Sequence, residues 1–347
     1  MRDFQPDFFS VNSDEPKSGG EVSNLQIMEV IHSQFPSIGE VKRTVELGGV
    51  GINSRNYKIL AETGSYTFKL WGTNDPMRIS EVSKISRFLD SKNICVPVPI
   101  RSAAGADYIK NDEKLASLLT FIEGELYSPS ESDLPHYFNS ISQLFEALRE
   151  YKKSSEHYLR YEVDSTNLGI SISRGLDSEL IWIKNGLQDQ HTSLTEIYPK
   201  ILEDIRIFSL ANKSFENQFS HFDLHPRNIL KTSQDEFGFL DFEACGFMDP
   251  QIAWGFTLVK ILRQVIAGSD VKTDPSKLGK DALELIRSTN FGSRLDVFYL
   301  PVFGRIEILR RLSLIIDDYL DNESSTWLPM LPIQIQLLKE SYLLFVD

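Results

Sequence analysis

Apolar residues recur along this chain at two periods, and each period predicts its own kind of element. Leu25, Met28, Ile31 and Phe35 follow a helical spacing, with Asn24 placed to cap it. Val41 to Leu60 predicts a strand, a turn rich in glycine and a second strand, the turn being Gly48 to Ser54. Tyr66 to Trp71 alternates around Lys69, as a half-buried strand does. Glu81 then opens a predicted helix whose apolar side is Val82, Ile85, Phe88 and Leu89, and Leu115 to Ile122 is a near-continuous apolar strand. From there the period is mostly helical. Residues 133–151 place Phe138, Ile141, Leu144, Phe145 and Leu148 on one side, and Leu180 to Leu187 and Leu194 to Leu210 follow. Residues 281–287, 295–320 and 330–346 predict further helices, as does the chain after Asp249-Pro250, with Asp249 as cap and proline in the first turn. Between these helices lie two short apolar runs, Ile229-Leu230 and Phe237 to Leu240, which predict a strand–turn–strand. Residues 1–23, rich in Ser, Asp, Glu, Pro and Gly, predict a mobile tail, with Phe4, Phe8 and Phe9 as potential docking points. There is no internal repeat.

Composition narrows the class. At 347 residues, 41% of them hydrophobic and 24% charged, the chain reads as a soluble globular protein with room for two lobes. A formal charge of −13 argues against a general binder of nucleic acid or of anionic membranes. Cys95 and Cys245 sit in no metal-ligand spacing and suit a reducing compartment. No run reaches the length of a membrane span, and the acidic Asp3 and Asp7 do not fit a signal peptide. These features together predict a cytoplasmic protein.

The candidate chemistry sits at the predicted strand–turn–strand. His221-Phe222-Asp223-Leu224-His225-Pro226-Arg227-Asn228 precedes it and Leu240-Asp241-Phe242-Glu243 closes it, so Asp223, Asn228 and Asp241 fall within nineteen positions. The hairpin brings Asn228 and Asp241 to one end, with Asp223 on the loop before. Hard oxygen ligands in that number suit magnesium, which keeps several waters and takes one or two protein carboxylates beside phosphate oxygens.

His-x-Asp-x-x-x-x-Asn followed by Asp-Phe-Glu resembles the catalytic and metal-binding loops of the aminoglycoside phosphotransferase and choline kinase-like family, which is similar to protein kinases in fold and mechanism. Glu243 stands where protein kinases carry glycine, a departure that looks like the small-molecule branch. The resemblance spans roughly residues 41–255, and it includes Ile94 to Pro99, which is similar to the family's Val-Pro-x-Pro strand. It implies an α+β, two-lobed protein-kinase-like fold: a small lobe of antiparallel sheet and helix over 24–122, and a larger, mainly helical lobe over 123–347. It implies ATP in the cleft, with GTP as an alternative donor, and Mg2+ held by Asn228 and Asp241. Asp223 would accept the proton of the acceptor hydroxyl and orient its oxygen, while Lys69, fixed by Glu81, would grip the inner phosphates. Gly49, Gly51, Asn53 and Ser54 would cover the phosphates, and the backbone near Thr120 to Ile122 would hold the adenine. The acceptor would be a small molecule bearing a hydroxyl, such as an amino alcohol, sugar or aminoglycoside.

Residue by residue, blander readings stand beside these. The glycine-rich turn alone is a hairpin turn, Lys69 alone an edge lysine reaching solvent, and Glu81 alone a helix-start glutamate favoured by the dipole. His221 reads as ordering the catalytic loop, His225 has no assigned role beside the site, and Arg227 is either a positive charge near the transferring phosphate or an outward-facing arginine. His136, His157 and His191 are isolated and read as surface or capping residues. Asp317, Asp318, Asp321 and Glu323 form an acidic cluster, either a solvated helix end or a rim for an amine-bearing acceptor. Arg305, Arg310 and Arg311 lie near it, either to neutralise it or to bind an anionic acceptor. Three rivals remain: a kinase acting on proteins, a catalytically silent nucleotide-binding module, and an enzyme of the same fold that moves AMP or hydrolyses ATP. Against the first, no Asp-Phe-Gly and no following Ala-Pro-Glu occurs; against the second, every expected polar group has a candidate.

Overall fold

The computed structural model describes residues 24–47, 54–111, 113–151, 163–211, 217–232, 236–269 and 273–346. The predicted tail, Gly49, Gly51, Asn53 and His157 lie outside the described residues.

Helix α1 (Asn24–Gln34) leads into three strands, β1 (Val41–Leu47), β2 (Arg55–Ala61) and β3 (Gly64–Leu70). Helix α2 (Pro76–Ser91) follows, then β4 (Pro99–Ile100), β5 (Ile109–Asn111) and β6 (Lys114–Thr120). The strands form one antiparallel sheet in the order β1-β2-β3-β6-β4, with β5 on the edge of β6. Period-two alternation sorts its side chains. Tyr57, Ile59, Phe68, Leu70, Ala116 and Leu118 pack with Ile27 and Ile31 of α1, and with Phe35 just after it, into a small core. Lys69, between Phe68 and Leu70, therefore projects from the opposite face.

Two predicted boundaries change here. Glu81 lies in the second turn of α2, because Asp75 caps that helix by accepting the Met77 amide at 2.9 Å and Pro76 supplies the first position. Asp274-Pro275 starts a later helix in the same way, Asp274 accepting the Ser276 amide at 3.0 Å. The expected strand over Ile94 to Pro99 shrinks to Pro99–Ile100. Pro97 and Pro99 bring no N–H to a ladder, so Val98 is held instead from Thr120, whose amide donates to the Val98 carbonyl at 2.8 Å and whose hydroxyl accepts the Val98 amide at 2.9 Å.

Past β6 the chain turns into β7 (Glu125–Leu126) and helix α3 (Leu134–Glu150), then α4 (Ser165–Asp177), α5 (Glu179–Trp182) and α6 (Gln188–Ala211). Strands β8 (Gln218–His221), β9 (Ile229–Lys231), β10 (Phe237–Phe239) and β11 (Cys245–Met248) carry the two motif loops, and α7 (Pro250–Gly268), α8 (Pro275–Ser288), α9 (Leu300–Asn322) and α10 (Leu331–Leu344) complete the helical lobe. Strand β9 pairs with β10 on one side and β7 on the other, so the segment leaving the small lobe adds a strand to the hairpin between the two motifs. Glycine is required where it does so: a Cβ on Gly124 would lie 2.8 Å from the Lys231 carbonyl oxygen.

The large core is built on α7 and α9, which meet backbone to backbone at two glycines. A Cβ on Gly255 would come within 2.2 Å of the Leu300 carbonyl oxygen, and one on Gly304 within 2.3 Å of the Gly255 carbonyl oxygen. Around this crossing, Arg305 bonds Asp204 with both arms at 2.7 and 2.9 Å, and the Tyr342 hydroxyl donates to the same carboxylate at 2.6 Å. The apolar side of α2 (Ile79, Val82, Ile85 and Leu89) joins this larger core rather than the small one. Among the described residues no helix is long and apolar enough to cross a membrane.

Replacing Gly304 by alanine should push the two helices apart and cost about 1–3 kcal/mol, the usual penalty of overpacking a tight core. A urea titration of the intact chain measures it; an unchanged midpoint would show that the crossing can relax.

Candidate active site

Strand β8 pairs antiparallel with β11, with His221 opposite Cys245, and β9 pairs with β10, with Ile229 opposite Phe239. Both motif loops therefore leave adjacent strand ends and run side by side. Their backbones are stitched together: the Phe222 amide donates to Ala244 at 3.0 Å, and the Leu240 amide to Asn228 at 2.9 Å. His221 adds a side-chain tie. Its Nδ1 accepts the Asp223 amide at 3.2 Å, which puts the ring proton on Nε2, and Nε2 donates to the Leu240 carbonyl at 2.9 Å. The ring is fully buried, and that burial pushes its pKa down and keeps it neutral, as this bonding pattern needs.

Asp223 is surrounded by donors. Its Oδ1 accepts from Arg311 Nη1 at 2.9 Å, and its Oδ2 faces His225 Nε2 at 3.6 Å. His225 Nδ1 accepts the Arg227 amide at 3.2 Å, so the ring presents its N–H to the carboxylate. Burial by itself would raise the Asp223 carboxyl; the Arg311 guanidinium, with the His225 ring, outweighs it and holds the group well below the usual carboxylate range. Arg311 is anchored from behind. Glu307, fully buried on the same helix, accepts its Nε at 2.8 Å, the guanidinium stacks 4.2 Å from the Phe256 ring centre, and Nη2 donates to the Phe222 carbonyl at 3.0 Å. The helical lobe thus delivers a fixed cation to a carboxylate 88 positions away in sequence.

Asn228 donates its Nδ2 to the Asp223 carbonyl at 2.9 Å, leaving the amide oxygen for a cation. Asp241 takes the left-handed conformation (φ 62°, ψ 52°), which aspartate tolerates better than most residues, and its side chain is 41% exposed. Facing it from β3 is Lys69, whose ammonium lies 3.6 Å from Asp241 Oδ1, bonds the Glu243 carboxylate, and sits 4.3 Å from the Trp71 ring centre. The structure thus ties the loops of Asp223, Asn228 and Asp241 together and sets Lys69 against Asp241.

The expected Lys69–Glu81 pair is not formed. Glu81 is buried and bonds Lys84 at 2.7 Å, one helical turn away, whereas Lys69 is taken by the carboxylates of the Asp-Phe-Glu turn. The Ser54 hydroxyl accepts the Gly72 amide at 3.2 Å, tying the foot of the glycine-rich turn to the end of β3. At the far end of β6 the Thr120 and Phe121 amides are already bonded to Val98 and Ser65, which leaves them no N–H for a ligand, while Ile122 packs over Gly238 of the hairpin. Nor do the three C-terminal arginines meet the acidic cluster. Arg305 goes to Asp204, Arg310 and Arg311 to Glu307, and Arg174 of α4 neutralises Asp317 and Asp321 instead. Among the described residues no set of three His, Cys, Asp or Glu side chains converges as a metal site.

Sequence models of known families decide the family. That of the phosphotransferase enzyme family matches residues 44–253, from β1 into the first turn of α7. The chain belongs to this phosphotransferase family. Proteins with curated functions give no match to the sequence. The fold is shared with solved structures of low identity. Amicoumacin kinase hAmiN, in complex with AMP-PNP, Ca2+ and Ami, aligns with a TM-score of 0.64 at 15% identity over 93% of this chain and 95% of its own. Spectinomycin phosphotransferase APH(9)-Ia, with ADP and spectinomycin, gives 0.58 at 12% over 92% and 95%. Choline kinase LicA from Streptococcus pneumoniae gives 0.51 at 14% over 91% and 97%.

In this phosphotransferase, β11 hands the chain from the Asp-Phe-Glu turn to Asp249, which caps α7 by accepting the Gln251 amide at 2.9 Å. Burial pushes the Asp249 carboxyl up to about 6, against the opposing pull of that bond. A folded pKa above the unfolded value favours folding most at low pH. Stability should therefore fall as pH rises from about 4 through 6 and then level, a change on the order of 2–3 kcal/mol. Asp249→Asn keeps an acceptor at the cap and should lose this dependence; urea unfolding of both proteins at pH 4.5, 6 and 7.5 tests it, and parallel curves would refute it.

Proposed function

We propose that this phosphotransferase moves the γ-phosphate of ATP to a hydroxyl group of a small molecule, in a cleft between a lobe of residues 24–122 and a lobe of residues 123–347. The observation that carries this reading is the meeting of Lys69 with the Asp-Phe-Glu turn, at 3.6 Å from Asp241, beside Asn228 and Asp223. A cation already sits against Asp241 and Glu243, which is the environment a metal–phosphate group needs. The amide oxygen of Asn228 and the carboxylate of Asp241 would hold Mg2+, which supplies charge neutralisation across the phosphate oxygens. Lys69 then exchanges its protein carboxylates for the inner phosphates. The bonded amides at Thr120 and Phe121 turn the adenine-facing backbone toward Ile122 and Glu123.

Asp223 receives the acceptor. With its carboxylate held ionised by Arg311 and His225, its main contribution is to orient the hydroxyl oxygen in line with phosphorus, and its basicity is small. In phosphoryl transfer the proton leaves late and positioning dominates, so a weakly basic aspartate suffices. The acceptor is a neutral or amine-bearing alcohol, and its specificity resides in the helical lobe. The solved relatives crystallised with Ami and with spectinomycin are consistent with an acceptor of that kind.

Two substitutions separate the roles. Asp223→Asn should bind magnesium nucleotide within about twofold of wild type and lose on the order of a hundredfold or more in turnover. Asp241→Ala should lose both magnesium-dependent nucleotide binding and turnover. The assay incubates a small-metabolite extract and magnesium–ATP with each protein and reads products by mass. A metabolite gaining one phosphate with wild type alone is the expected result. Unimpaired turnover by Asp223→Asn would remove the role given to that residue.

A further inference from the structure

The Asp241–Cys245 turn is gripped from both lobes. From its own lobe, Asn228 and His221 hold the Leu240 peptide. From the small lobe come two cations. Lys69 takes the side chains of Asp241 and Glu243, and Arg78, in the first turn of α2, takes the backbone: its Nη2 bonds the Glu243 carbonyl and lies 3.5 Å from that of Cys245. The two grips differ in what a nucleotide does to them. Phosphates and a metal compete directly for Lys69 and for both carboxylates. The carbonyls held by Arg78 are not ligands of either, so that bond persists as Lys69 lets go.

We propose, on the magnesium–nucleotide reading of this cleft, that Arg78 is a positioning residue of the nucleotide site. It holds the Asp-Phe-Glu turn through its carbonyls, so that Asp241 stays aimed at the metal when Lys69 moves to the phosphates. The turn needs such a hold. Asp241 sits in a left-handed conformation that is unfavourable for a residue with a Cβ, and the single backbone bond inside the turn is that of Ala244 to Asp241 at 3.1 Å. Both carbonyls are met by the one Nη2, at the end of a side chain one bond longer than that of lysine, so a lysine in its place keeps the charge but stops short of this position. The same bond joins α2 to the metal loop, so it also ties the orientation of the small-lobe helix to the loop that binds metal.

The test is calorimetric binding of AMP-PNP with magnesium, of AMP-PNP with EDTA, and of AMP, to the full chain and to Arg78→Gln, Arg78→Lys and Asp241→Ala. Arg78→Gln should bind magnesium AMP-PNP about tenfold more weakly, the loss of a charge-assisted bond, with AMP and metal-free AMP-PNP within about twofold of wild type. Arg78→Lys should recover part of the loss. Wild-type affinity of Arg78→Gln for magnesium AMP-PNP overturns the proposal, and so does an equal loss for all three ligands, which would make Arg78 a general support of the cleft. Should Arg78→Gln fail to fold, Arg78→Lys decides by the same comparison: a loss confined to the magnesium form supports the role, and an unchanged affinity overturns it. Asp241→Ala guards the reading beneath. If it keeps the full gain from magnesium, the metal assignment falls and takes the role of Arg78 with it. If it loses that gain while Arg78→Gln keeps it, Arg78 alone is wrong.

Discussion

The backbone of Leu240 is held at both its polar groups by the first motif: its N–H donates to the Asn228 carbonyl and its C=O accepts from His221. Because His221 also takes the Asp223 amide, one buried imidazole and the backbone of Leu240 fix the spacing between the loop of Asp223 and the turn that begins at Asp241. Were the ring charged, Nδ1 would no longer accept, and the Asp223 loop would lose its tie. Burial of the ring is therefore a condition of the geometry as well as a consequence of it. Everything else at the cleft is arranged around that unit: Arg311 behind Asp223, Lys69 across from Asp241, Arg78 above the turn.

Charge distribution shows how the lobes divide the work. The helical lobe supplies the buried Glu307, which fixes Arg311, which in turn fixes Asp223. The small lobe supplies Lys69, which in this structure balances two carboxylates that would otherwise repel each other. The overall charge of −13 does not predict this local arrangement; each acidic group near the cleft is matched by a specific cation. At the acidic end of α9 the match is partial, Arg174 serving both Asp317 and Asp321 with the Ser171 hydroxyl on Asp317.

What was legible in the sequence was local. The hairpin of β9 and β10, the two loops at its ends, the alternation around Lys69 and the Asp-Pro start of α7 each depend on residues a few positions apart, where period and turn chemistry carry the information. Asp75-Pro76 carries the same start signal as Asp249-Pro250, and attention to it would have placed Glu81 inside its helix. The partners of the charged groups were not legible. Arg78 reaches its carbonyl across 165 positions, Lys69 its carboxylate across 174 and Arg311 across 88. Each sits on an amphipathic helix or strand, where a charge reads as a solvated face. Glu243 was visible as the residue standing in place of glycine, yet only the fold shows that this substitution gives Lys69 a partner and leaves Glu81 to Lys84.

The glycine crossing of α7 and α9 bears on how such a protein can diversify. Helix α7 follows the Asp-Phe-Glu turn through the short strand β11, and α9 carries Arg311, so the two helices are the foundations of the two halves of the candidate site. With backbone against backbone at Gly255 and Gly304 there is no layer of side chains between them to swell, shrink or slide. The chemistry is thereby insulated from change at the periphery. The outer turns of α4, α5 and α9 can be recontoured while the joint beneath them keeps its dimensions, so a change at that surface leaves Arg311 and the Asp241 turn where they are.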